Sequence, residues 1–175
     1  MLKKTVASLI TGLFVVTLSF NVAAKDIQVT IKLAKIEAIK TASTGGDKLY
    51  FSVSEYSTKV TPELARFPEF PLHWLSKDLP KVKNLLLWKG TVHAKESVLL
   101  IFSLIEQELL PFEPDNHIGS AQVKLAIKDD KLSVIWGQPH FRDQPKVEQA
   151  NAKLPDFIMF GDNSKYKVEF KIDSR

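Results

Sequence analysis

The chain contains no cysteine among its 175 residues. That absence excludes disulfides, zinc–thiolate sites, thiol nucleophiles and anchoring through a lipidated cysteine. The familiar catalytic spacings are missing as well: there is no Gly-x-Ser-x-Gly elbow, no phosphate-binding glycine loop and no dinucleotide fingerprint. The four histidines, His73, His93, His117 and His140, lack the His-x-x-x-His and His-Glu-x-x-His spacings of metal sites. His93 falls on a predicted strand beside Val92, where a structural role is expected. No two carboxylates are singled out as a catalytic pair, so the chain is read as a non-enzyme. A small hydrolase, or a glycan binder stacking sugars on Trp74, Trp88 or Trp136, is the minor alternative.

Long apolar runs are also absent, except at the start. Lys3 and Lys4 precede an apolar stretch from Val6 to Phe20, and Val22-Ala23-Ala24 supplies the small residues of a cleavage site. The uncharged stretch Thr5–Ala24 is 20 residues long, enough for an anchor, but Thr, Ser, Gly and Asn dilute it. Residues 1–24 are therefore expected to be a cleaved signal peptide. The mature chain would begin at Lys25 and work in the periplasm or as a secreted protein. Removing those residues takes away two lysines and no acids, leaving 22 basic against 20 acidic side chains, a net of +2. A typical tight nucleic-acid binder makes roughly six to ten phosphate contacts. Two surplus charges, with no run of the chain concentrating them, argue against nucleic acid as a partner. The cluster Lys77, Lys81 and Lys83 is expected to be a solvated face.

What the remaining residues (25–175) do show is alternation. Ile27, Val29, Ile31 and Leu33 alternate with polar residues, as do Leu49, Phe51 and Val53 within Lys48–Tyr56. Strands are predicted again over Asn84–His93, Ser97–Glu106, His117–Lys128, Lys131–Trp136, Asp156–Phe160 and Lys165–Asp173. Gly45-Gly46-Asp47, Asp129-Asp130 and Gly161-Asp162-Asn163-Ser164 mark turns. Pro62, Pro68, Pro71 and Pro80 make Thr61–Pro80 an irregular crossing, with a helical turn expected around Leu72–Leu75. Lys146–Lys153 is the one segment expected to be a longer helix. Eight short strands with little helix predict one all-β domain, an antiparallel eight-stranded β-sandwich.

Two loops carry a further pattern. Gly45-Gly46-Asp47 is followed by Tyr50 and Val53, and Glu106-x-Glu108 is followed by Asp115-Asn116-His117-Ile118-Gly119. In these segments the chain resembles the C2 family of calcium- and phospholipid-binding β-sandwiches. That family carries a Gly-x-Ser-Asp-Pro-Tyr first loop and an Asp-x-Asp…Asp-Asp-x-Ile-Gly third loop. The likeness runs from about Ile27 to Trp136 and includes Leu86-Leu87-Trp88-Lys89-Gly90. It implies a C2-like sandwich with calcium as cofactor, held by Asp47, Glu106, Glu108, Asp115 and Asn116. Hard cations take six to eight oxygens, and alternate residues of an extended segment project their carboxylates the same way. The chain departs from the family at Thr41, which stands where a first-loop aspartate is usual. It departs again at Glu106 and Glu108, and at Asn116, each in place of aspartate.

Leu109-Leu110-Pro111-Phe112 places three large apolar residues in the loop between those acidic positions. Leu109, Leu110 and Phe112 are expected either to contact a membrane or partner or to fold back onto the core. The function expected from the sequence is a binding module. It would dock on membrane phospholipid or a protein partner through its 41–47 and 106–119 loops, with calcium assisting. A metal-free envelope interaction protein on the same scaffold is the alternative.

Overall fold

The computed structural model describes residues 25–57, 63–108, 114–139, 147–151, 155–161 and 163–175. The proposed signal peptide lies outside the described residues. No helix among those described is long and apolar enough to cross a membrane.

The described residues form eleven strands: β1 (Ile27–Lys40), β2 (Lys48–Ser57), β3 (Glu63–Phe67), β4 (Trp74–Leu75), β5 (Lys83–Val92), β6 (Ser97–Glu106), β7 (Asn116–Lys128), β8 (Lys131–Gly137), β9 (Val147–Asn151), β10 (Asp156–Gly161) and β11 (Ser164–Ser174). They build two packed antiparallel sheets. The first has the order β5-β1-β11-β10-β9, and the second β3-β2-β6-β7-β8, with β4 also pairing with β2. The protein is an all-β sandwich.

Period-2 alternation explains the core. Val29, Ile31 and Leu33 of β1, Leu49, Phe51 and Val53 of β2, Leu100, Phe102 and Leu104 of β6, and Tyr166, Val168 and Phe170 of β11 are all buried. In β1 a bulge between Leu33 and Lys35 shifts the phase, so that Ile36 is the next residue to face inward. Phe170 is the hub where the two sheets meet. Its ring centroid lies 5.0 Å from Phe102, 5.1 Å from Trp136 and 6.2 Å from Phe51. Such pairs add about 0.5–1.5 kcal/mol each beyond the area they bury. The Asp129-Asp130 turn has φ values of 50° and 57°, the left-handed pair that a two-residue hairpin needs. Gly161 lets β10 pass close to the second sheet, since a Cβ there would sit 2.7 Å from the Ile118 Cα.

The structure corrects three expectations. The described residues form eleven strands where eight were expected, because β3, β4 and β9 were not foreseen. The segment expected to be a helix over Lys146–Lys153 contains β9, which pairs with β10 and buries Val147 in the core. The helical turn expected at Leu72–Leu75 lies later, as a 3-10 helix over Ser76–Lys81. Trp74 and Leu75 instead extend the second sheet beside Leu49 and Lys48.

Candidate functional site

The end of the sandwich where β2 starts, β6 ends and β7 starts gathers the residues expected to carry function. Asp47 precedes β2 and faces inward, 1% exposed. Its carboxylate accepts the Ala42 N–H at 3.2 Å, the Ser43 N–H at 2.9 Å and the hydroxyl proton of Tyr166. Its backbone exchanges hydrogen bonds with Ser76, N–H to Oγ at 3.0 Å and C=O from N–H at 2.9 Å. The 41–47 loop is thus tied to β11 on one side and to the Ser76–Lys81 helix on the other. Gly46 makes that tie sterically feasible: its φ is +88°, and a Cβ there would lie 2.8 Å from Ser76 Oγ.

Glu106, opposite Leu49 in the β2–β6 ladder, is also buried. Burial, then the bond to Asp47, then the Asp47 and Glu106 charges push the Tyr166 hydroxyl pKa well above the usual tyrosine range.

A second group lies on the outer side of the same end. Asp115 accepts the Tyr50 hydroxyl at 2.8 Å and the Glu108 N–H at 3.0 Å, and Asn116 donates to Glu108 Oε1 at 2.9 Å. Burial, aided by the Asp115 bond, raises the Tyr50 pKa to about 12. These contacts close the two ends of the 106–116 segment on each other. Leu109, Leu110 and Phe112 lie outside the described residues.

The structure therefore gathers Asp47 with Glu106, and Glu108 with Asp115 and Asn116. The carboxylates of Asp47 and Asp115 accept hydrogen bonds from the chain itself. Among the described residues, no group of three or more His, Cys, Asp or Glu side chains is placed to hold a metal ion.

Residues not singled out as functional from the sequence complete this end. Arg66 of β3 lies with its guanidinium carbon 3.7 Å from the Tyr50 ring centroid and 5.3 Å from that of Phe70. It donates to the Leu72 carbonyl at 3.0 Å and to Gln107 Oε1 at 2.7 Å. Arg66 so joins the 68–73 loop to the end of β6. On that loop Phe70 is 68% exposed and Leu72 is 64% exposed. The signal for them was in the sequence: large apolar residues in a proline-rich polar loop, the criterion that picked out Leu109–Phe112. The tryptophans are half-buried. Trp136 stacks in the core, and the Trp88 Nε1–H donates to Glu55 at 2.7 Å. His93 lies just beyond β5, exposed, 2.8 Å from Asp26 Oδ2.

Comparison with known protein families, with curated proteins and with solved structures finds no significant match.

Proposed function

We propose that the chain is an exported, non-enzymatic binding module that docks on a membrane surface through the end formed by its 41–47, 68–73 and 106–116 segments. The observation that carries this reading is the exposure of Phe70 and Leu72, held beside Gln107 by Arg66. Solvated loops are usually polar, and two large apolar side chains on a braced loop suit insertion at a lipid interface. The sequence adds Leu109, Leu110 and Phe112 to the neighbouring segment, whose ends are closed at this same edge. The exposed apolar pair Phe70 and Leu72 favours a lipid surface over a protein partner.

A C2-like scaffold belongs to the same proposal. It is supported by two packed antiparallel sheets and by the gathering of the 41–47 and 106–119 segments at one end. Calcium is the open element. The clustering of Asp47 and Glu106, and of Glu108, Asp115 and Asn116, supports calcium-assisted docking. The hydrogen bonds already made to Asp47 and Asp115 favour the metal-free form, since a cation would have to displace them.

Vesicle co-sedimentation tests the reading. The protein should pellet with vesicles, and the double change Phe70→Ser with Leu72→Ser should release it. Burying each side chain is worth roughly 1.5–3 kcal/mol, so together they should change affinity well over tenfold. A chelator that abolishes sedimentation selects the calcium-assisted form; sedimentation unaffected by chelator selects the metal-free form. Failure to pellet under either condition would leave a protein partner as the remaining occupant of this edge.

A further inference from the structure

The outer face of the first sheet carries a feature unrelated to the loop edge. Near the N-terminal end of β1, away from Thr41, β5, β1 and β11 form an open cleft of about 830 Å³. It is lined by Lys32, Lys89, Arg175 and Asp173, by the polar groups of Gln28, Thr30 and Ser174, and by Leu86 and Ile172. The register explains the gathering: Thr30 pairs with Lys89 on one side and Asp173 on the other, and Lys32 pairs with Lys171. Arg175 continues the ladder through two backbone hydrogen bonds with Gln28. Residues spread over most of the chain thus meet on three adjacent strands about 4.8 Å apart.

The charge there is unbalanced. Asp173 is shared between Lys32 and Lys171, each at 3.2 Å, and both lysines hold its carboxyl below the usual range. Lys89 and Arg175 bring two further cations to the same cleft. Three basic side chains line the cleft with one carboxylate, which a fourth, Lys171, also bridges, in a chain whose net charge without residues 1–24 is only +2. The concentration of charge that the sequence did not reveal is made by strand order.

We propose that this cleft is a binding site for a phosphate-bearing ligand. A phosphate near Thr30 would be flanked by Lys89 on β5, Lys32 along β1 and Arg175 just past β11, with the Asp173 carboxylate on the β11 side held by Lys32 and Lys171. Its several oxygens could take charge-assisted hydrogen bonds from these groups and a weaker one from the Thr30 hydroxyl. Leu86, which is exposed, provides an apolar contact for the part of the ligand that carries the phosphate. A lone carboxylate would use fewer of these donors.

Calorimetric titration of the full chain with inorganic pyrophosphate at low ionic strength tests the site. One saturable site is expected, weakened about tenfold or more by Lys89→Gln and by Arg175→Gln, the loss of one charge-assisted contact each. Lys131→Gln, at the start of β8 and outside the cleft, should leave the affinity unchanged. Vesicles of equimolar phosphatidylcholine and phosphatidylglycerol that displace the pyrophosphate would identify a lipid headgroup as the source. Vesicles without effect would point to a soluble phosphorylated molecule; both results support the site. No saturable binding, unchanged affinity in Lys89→Gln and Arg175→Gln, or equal weakening by Lys131→Gln would overturn it.

Discussion

Tyr166→Phe removes one hydroxyl on which the geometry of the loop edge depends. Tyr166 is fully buried and its hydroxyl donates to the Asp47 carboxylate, itself buried at the sandwich end. The substitution keeps the ring, so no cavity as large as a side chain opens and little packing is lost. What disappears is one hydrogen bond to a charged acceptor, with a lesser one to Ser76, which among the described residues leaves that oxygen the Ala42 N–H at 3.2 Å. Hydrogen bonds to charged groups contribute about 1.5–3 kcal/mol. A loss of about 2 kcal/mol corresponds to a melting temperature roughly 4–8 °C lower for a domain of this size. In urea, with a slope near 2 kcal/mol/M, the midpoint should fall by about 1 M.

The same variant should change the alkaline limb of stability. Tyr166 and Tyr50 have pKa values raised in the folded chain above the ordinary tyrosine value of 10.0. Their contribution is therefore complete below pH 10 and lost as pH rises, for Tyr50 between 10 and about 12. Urea unfolding from pH 8 to 11 should show a shallower alkaline limb in Tyr166→Phe than in the wild type. A loss below about 0.5 kcal/mol, the range of ordinary surface changes, together with an unchanged limb, would refute the assignment of Tyr166 as the partner that holds Asp47.

Other expectations follow from the same structure. Leu100→Ala, in the fully buried centre of β6, should cost about 2–5 kcal/mol in urea unfolding. His117 has its pKa lowered by burial, with Nε2 2.7 Å from Ser120 Oγ. The unfolded chain therefore takes up its proton first, and stability should fall as pH drops below the ordinary value of 6.5. His117→Gln should flatten that acid limb, as read by urea midpoints between about pH 5 and 7. N-terminal sequencing of the exported protein should begin at Lys25 or within a few residues of it, whereas an intact Met1 in the membrane fraction would favour an anchor.

The parts legible in the sequence were those where one strand carries its own pattern. Val29, Ile31 and Leu33, or Tyr166, Val168 and Phe170, alternate because one face of each strand meets the core, and that needs no knowledge of the partner strand. β3 hid because Glu63, Leu64 and Ala65 are all exposed, so it has little buried face to show. β9 hid because its core residue Val147 stands in a polar stretch whose pairing with β10 is set by the tertiary fold. The loop edge was half legible. Asp47, Glu106, Glu108, Asp115 and Asn116 were read as one group, whereas the structure gathers Asp47 with Glu106 and, separately, Glu108 with Asp115 and Asn116. Tyr166 lies 119 residues from Asp47, and no local spacing reveals a donor at that distance. The cleft over Thr30 was invisible for the same reason, since its cations are neighbours only through the β5-β1-β11 order.

Docking through the loop edge is tested most directly by a reporter placed on it. Phe70→Trp puts an indole at a position 68% exposed, while Trp74, Trp88 and Trp136 are half-buried and supply a steady background. With vesicles at saturating concentration, the new tryptophan should shift its emission to the blue and be quenched by brominated acyl chains. Leu72→Ser in the same protein should weaken both signals. Emission at Phe70→Trp that is indifferent to vesicles and to brominated lipid, while the protein itself is vesicle-bound, would contradict docking through this edge.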